Sequence, residues 1–171
     1  MTAAKTFQNI ARALTDHGTD RLFGLMGDAN LFMVDSFVRD QGGKFIPAAH
    51  EGSSVLMALA YTHVAGKVGV ATVTHGPALT NCMTALTEGA NGNIPMVLLA
   101  GDTPVANPRH LQGIDQREVV KASGKGKKGH AFKGGWSQAS SSAGEWDSFG
   151  DYMPSVHDHA HAKGQACKAK S

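Results

Sequence analysis

The chain has 171 residues, 42% hydrophobic and 18% charged, with a net charge of +2. That length fits one domain, or one domain and a tail, with enough apolar residues for a core. The balance of charge excludes the dense basic face of a nucleic-acid reader, no apolar run is long enough to span a bilayer, and no opening segment reads as a signal peptide. Cys82 and Cys167 stand alone in dissimilar surroundings, which argues against a disulfide framework or a thiolate zinc site and favours a reducing cytoplasm.

In chain order, Thr2 is placed to cap a first helix whose Phe7, Ile10, Ala11 and Leu14 share one face, with Gly18 as its stop. The stretch RLFGLMG predicts a short buried strand. Residues 30–39 repeat the helical period through Leu31, Val34, Phe37 and Val38, and residues 44–49 predict a second strand. A third helix is predicted over 53–65, closed by Gly66. The following KVGVATVT is the continuous small and β-branched run of a strand buried on both faces. Residues 80–88 read as helical, and PMVLLAG as another buried strand. Regular alternation of strand and helix predicts an α/β fold, a three-layer parallel sheet with helices on both faces. After about Val120 the pattern fails. Residues 122–171, rich in Gly, Ser, Lys and His, are expected to form a disordered tail to a domain spanning 1–121.

In such sheets chemistry collects where strands end and helices begin. Three segments fall there: MGDAN, AAHEG and THGPALTN. Glu51 stands where a strand hands over to a helix. A first-turn carboxylate is favoured by the helix dipole alone. Its apolar flanks IPAA and SSVLMALA also predict partial desolvation, which raises a carboxyl pKa and suits proton transfer near neutrality. His50 is adjacent, and neighbours on a strand point to opposite faces, so a His50–Glu51 dyad is not expected. THGPALTN places Pro77 at a helix start, where its missing donor is harmless, and either simply connects strand to helix or lets backbone approach a flat ligand. It is not a phosphate loop, and MGDAN is not a dinucleotide fingerprint. The tail sequence HDHAH (His157, Asp158, His159, His161) lacks the oriented surroundings a metal site needs, and Trp136 and Trp146 receive no role.

The segments FGLMGDAN, AAHEGSSVLMALAYTHVAGKVGVATVTHGPALTN, IPMVLLAGDTP and HLQGIDQREVV, taken together, resemble the N-terminal, pyrimidine-binding domain of thiamine-diphosphate-dependent enzymes. The superfamily is that of acetolactate synthase, pyruvate oxidase and benzoylformate decarboxylase, and the wording is most like acetolactate-synthase-like members. The resemblance implies that Glu51 hydrogen-bonds N1′ of the cofactor's aminopyrimidine and supports loss of the thiazolium C2 proton ahead of attack on a 2-keto acid. It implies that Thr74, Gly76, Pro77 and Asn81 shape the pyrimidine pocket, with Ala29, Asn30, His50, His75 and Gln112 nearer the substrate. No metal ligand is expected in this chain. Magnesium and the diphosphate are held in such enzymes by a second domain, through a Gly-Asp-Gly sequence and a downstream asparagine. Gly27-Asp28, Gly101-Asp102 and Gly150-Asp151 are not followed by glycine, and no asparagine follows Asn107. Smaller departures are Ala78 and Ala60 where relatives carry glycine, and Gly52 where they carry alanine.

The expectation is therefore half an active site, truncated and inactive alone, completed by the diphosphate domain of another chain or homologue in a homo- or hetero-oligomer. The alternatives are the pyrimidine subunit of a split enzyme and a non-catalytic dimerising or regulatory remnant. No segment reads as a flavin site.

Overall fold

The computed structural model describes residues 4–104, 107 and 109–124. Thr2 and all but the first three residues of the expected tail, with its histidines and tryptophans, lie outside the described residues. The elements run α1 (Thr6–Asp16), β1 (Arg21–Gly24), α2 (Leu31–Arg39), β2 (Lys44–Pro47), α3 (Glu51–Ala65), β3 (Gly69–Val73), α4 (Pro77–Thr80), α5 (Met83–Gly92), β4 (Met96–Ala100) and α6 (Gln116–Ser123). Lys5, not Thr2, occupies the cap position of α1. Having no acceptor of its own, it relies on Gln8, whose Oε1 accepts the Lys5 N–H at 2.9 Å.

The four strands are parallel in the order β2-β1-β3-β4, with Leu22 opposite both Phe45 and Val70, and Val70 opposite Val97. All five residues of β3 are buried, as its unbroken apolar run requires. Alternation along the strands feeds two cores. Leu22 and Val70 point to one face, against Ile10, Leu14, Met33, Val34 and Phe37 of α1 and α2. Phe23, Ala71 and Val73 point to the other, against Val55, Ala58, Leu59, Ala78, Cys82 and Ala85 of α3, α4 and the start of α5. The predicted three layers are present. Among the described residues no helix is long and apolar enough to cross a membrane.

Helix α3 docks on the sheet through a close approach. The Gly69 N–H donates to Thr62 Oγ1 at 2.7 Å, and a side chain built on Gly69 would run into the Ala58 carbonyl. At the same end of the sheet, Tyr61 donates its hydroxyl to Asp20 Oδ1 at 2.7 Å, while Arg21 and Lys67 reach Oδ2 at 2.8 and 3.2 Å. Partial burial pushes the Asp20 carboxyl up, but the Tyr61 and Lys67 hydrogen bonds and the Lys67 and Arg21 charges outweigh it, leaving the group below its ordinary value. Because the folded value is depressed, the resulting stability is present above the ordinary carboxylate range and is lost as pH falls through the folded value. The site is partly exposed and screened, so Tyr61→Phe is expected to cost no more than about 1 kcal/mol at neutral pH. It should also make the acid loss of stability shallower. Thermal midpoints followed from neutral pH into acid check this, and identical slopes for both proteins would refute it.

Candidate functional site

The strand order creates a crevice. After β1 the chain passes to the α1–α2 face, and after β3 to the opposite face, so the two connections diverge at the carboxyl edge of neighbouring strands. Side chains bridge the gap. Asn30, only 1% exposed, accepts the Gly27 N–H at 2.8 Å and donates to the Leu25 carbonyl and Thr72 Oγ1, each at 3.2 Å. Its amide therefore shapes the β1 exit loop, in which Ala29 is half-buried. Thr74 donates to Asp28 Oδ1 at 3.1 Å and lies 3.0 Å from His75 Nδ1. Since the carboxylate can only accept, the threonine hydrogen goes to Asp28, and Nδ1 must carry the histidine's proton. Nε2 of this buried ring finds no hydrogen-bond partner among the described residues.

At the exit of β2 the strand ends at Pro47, two residues earlier than the sequence predicts, although Ala48 still donates its N–H to the Gly24 carbonyl at 2.8 Å. His50 is extended, with φ −150° and ψ 143°, and its Nδ1 accepts the Gly52 N–H at 3.1 Å. It is the N-cap, so α3 starts at Glu51 rather than Ser53. No hydrogen bond joins His50 to Glu51, as expected, although the cap and not strand alternation is what separates them. Glu51 is half-buried in the first turn, and its Oε2 accepts from Asn81 Nδ2 at 2.9 Å. Its Oε1 has no hydrogen-bond partner among the described residues. Burial, and then the Glu51 charge, push the Cys82 thiol up to about 12, so that this cysteine is an inert core residue.

The single helix expected over 80–88 is instead α4 and α5, with Asn81 and Cys82 between them. Asn81, in this break, is the residue that reaches Glu51. Gly76 precedes α4 with φ 60° and ψ −111°, and Pro77 follows at the first helical position. A side chain on Gly76 would run into the Gln112 carbonyl, so Gln112 meets the loop through its backbone. The Gly76 N–H donates to Gln116 Oε1 at 3.3 Å, and Gln116 Nε2 donates to the Gly101 carbonyl at 2.9 Å. The His110 ring stands edge-on to His75, with centroids 5.2 Å apart.

Neither α6 nor Gln116 was anticipated from the sequence. A signal existed for the helix: Asp115 followed three residues later by Glu118 is an N-terminal capping pattern, and Asp115 Oδ1 accepts the Arg117 and Glu118 N–H groups at 3.1 and 3.4 Å. The predicted residues thus gather as Glu51 with Asn81, Thr74 with His75, and Gly76 with Gln112. Of the small departures, Ala60 faces solvent and Ala78 packs in the core. A Cβ on Gly52 would lie 3.0 Å from the Asn81 carbonyl, so glycine eases the approach that brings Asn81 to the start of α3. Among the described residues no cluster of three His, Cys, Asp or Glu side chains could hold a metal ion.

The family model described as thiamine pyrophosphate enzyme, N-terminal TPP binding domain, matches residues 4–121. An acetolactate synthase of Mycobacterium avium is 32% identical over 117 residues, 68% of this chain and 18% of the relative. The acetolactate synthase large subunit of Buchnera aphidicola from Acyrthosiphon pisum is 36% identical over 92 residues, 54% of this chain and 16% of the relative. Human 2-hydroxyacyl-CoA lyase 2 is 34% identical over 116 residues, covering 67% and 18%. The matched region spans less than a fifth of each of these relatives. With its parallel α/β sheet and an edge that sets Glu51 beside Asn81, the chain belongs to the thiamine pyrophosphate enzymes, as their N-terminal TPP-binding domain.

Proposed function

We propose that this chain supplies the pyrimidine half-site for thiamine diphosphate in a decarboxylase or carboligase acting on 2-keto acids. The observation that carries it is Glu51, half-buried at the start of α3, with Oε2 held by Asn81 at 2.9 Å and Oε1 left as an acceptor. A carboxylate oriented by one oxygen can hold or release a proton at the other without losing its place. The fit to an aminopyrimidine rests on the carboxylate: one oxygen is fixed by Asn81 and the other is available to a ring nitrogen. Bound thiamine diphosphate would supply the electron sink for decarboxylation or carbon–carbon bond formation.

The chain's own residues do the remaining work. Asn81 fixes the carboxylate at the start of α3. Thr74 and Pro77 form the walls beside Gly76. His50, Ala29 and Gln112 lie towards the substrate, with Asn30 and His75 supporting them from buried positions. Magnesium and the diphosphate fall to a partner domain, in an oligomer that also brings the two halves together in the cytoplasm.

The test is titration calorimetry of the chain with thiamine diphosphate and magnesium, first alone and then with a diphosphate-binding domain of an acetolactate-synthase-like protein. Binding that appears only with the partner is expected. Failure to bind under both conditions would refute the half-site.

A further inference from the structure

We propose that Gln116 is a positioning residue for this half-site: through its side-chain amide it fixes the Gly76 backbone, and so sets where the β3–α4 loop meets the cofactor ring. This rests on reading that loop as pyrimidine-binding.

The argument begins with Gly76 itself. Its φ of 60° and ψ of −111° combine into a conformation closed to residues with a side chain and open to glycine, so the backbone alone does not hold it there. Gly76 is buried, so its N–H must be paired within the protein. Gln116 provides the pairing at 3.3 Å, while its Nε2 is anchored on the Gly101 carbonyl at 2.9 Å. One side chain thus ties the exits of β3 and β4 together. The task needs an acceptor and a donor at the end of a side chain of this reach, which glutamine offers and glutamate or lysine does not. Two further contacts from the same segment press on the same loop: the Gln112 carbonyl against the Gly76 Cα, and the His110 ring against His75. Asp115 caps α6 immediately before Gln116 and holds its backbone in place. Gln116 is separated from Gly76 by 40 positions in sequence, which is why no local pattern reveals it.

The experiment compares wild type, Gln116→Met, which loses both hydrogen bonds at similar length, and Gln116→Glu, which keeps the acceptor alone. Amide hydrogen exchange is read at Gly76 and across β3, and thiamine diphosphate affinity is measured with magnesium and the diphosphate-binding domain. In the Met variant, Gly76 exchange should rise about tenfold and cofactor affinity fall about tenfold, while β3 amides stay protected, and the Glu variant should fall between. Unchanged Gly76 exchange overturns the clamp. Lost protection with unchanged affinity overturns the positioning role. If the Met variant loses β3 protection through misfolding, the Glu variant decides by the same two readings. A wild-type chain that never binds cofactor overturns the half-site and its coupling to Gln116, while the exchange data still decide the clamp.

Discussion

Glu51→Gln is expected to lower cofactor-dependent turnover of the completed active site by at least about a hundredfold, the usual scale for losing a positioned proton carrier. The substitution is nearly isosteric, and the glutamine oxygen can still accept from Asn81, whose amide now lies at 2.9 Å from Oε2. What disappears is the charge and the ability to take up and release a proton. The fold should survive, because the loss of a first-turn carboxylate costs about 0.3–1 kcal/mol. An internal reporter accompanies the change. The Glu51 charge helps to raise the Cys82 thiol, so that thiol should become easier to ionise in the variant, moving down from about 12. Full turnover in Glu51→Gln, with the Cys82 shift observed, would remove the proposed role while proving the substitution effective.

Gly69→Ala is expected to be the more destructive change, costing about 3 kcal/mol or more, a large part of the stability of a domain this size. The new methyl would be driven into the Ala58 carbonyl and the Thr62 hydroxyl that receives the Gly69 N–H. Both belong to α3, so the helix must lift from the sheet. Gly66→Ala provides the contrast. Gly66 ends α3 in the left-handed region, with φ 65°, and open space surrounds its missing Cβ. There the cost is conformational only, about 1–2 kcal/mol. Chemical denaturation of both variants separates close approach from backbone strain, and equal losses would contradict the docking geometry.

The sequence shows the sheet better than it shows the edge. Periodicity revealed α1 and α2, and apolar runs revealed the strands, including the half-buried edge strands β2 and β4, and Gly18 and Gly66 marked helix ends because both hold positive φ. The misses lie where one side chain overrides the pattern. His50 extends α3 by capping it, β2 ends at Pro47 short of Ala49, and the break at Asn81 and Cys82 divides a helix that looks continuous. Glu51 could be singled out by its position between a strand and a helix. Its link to Asn81 spans 30 positions, so no local reading contains it. The short QREVVKAS segment of α6 buries little, so that helix leaves a faint apolar signal.

The order of the strands also governs how the chain comes off the ribosome. The central strand, β1, finds β2 first, but Leu22, Phe23 and Gly24 meet their other neighbours only at Val70, Ala71 and Thr72. The cluster built on Ile10, Leu14, Met33 and Phe37 likewise waits for Val70 to complete it. A nascent chain that has emerged only as far as β2 therefore carries apolar helices with half a floor beneath them. Folding must wait on a distant pairing, which is intrinsically slow, and during that interval the growing polypeptide exposes apolar surface.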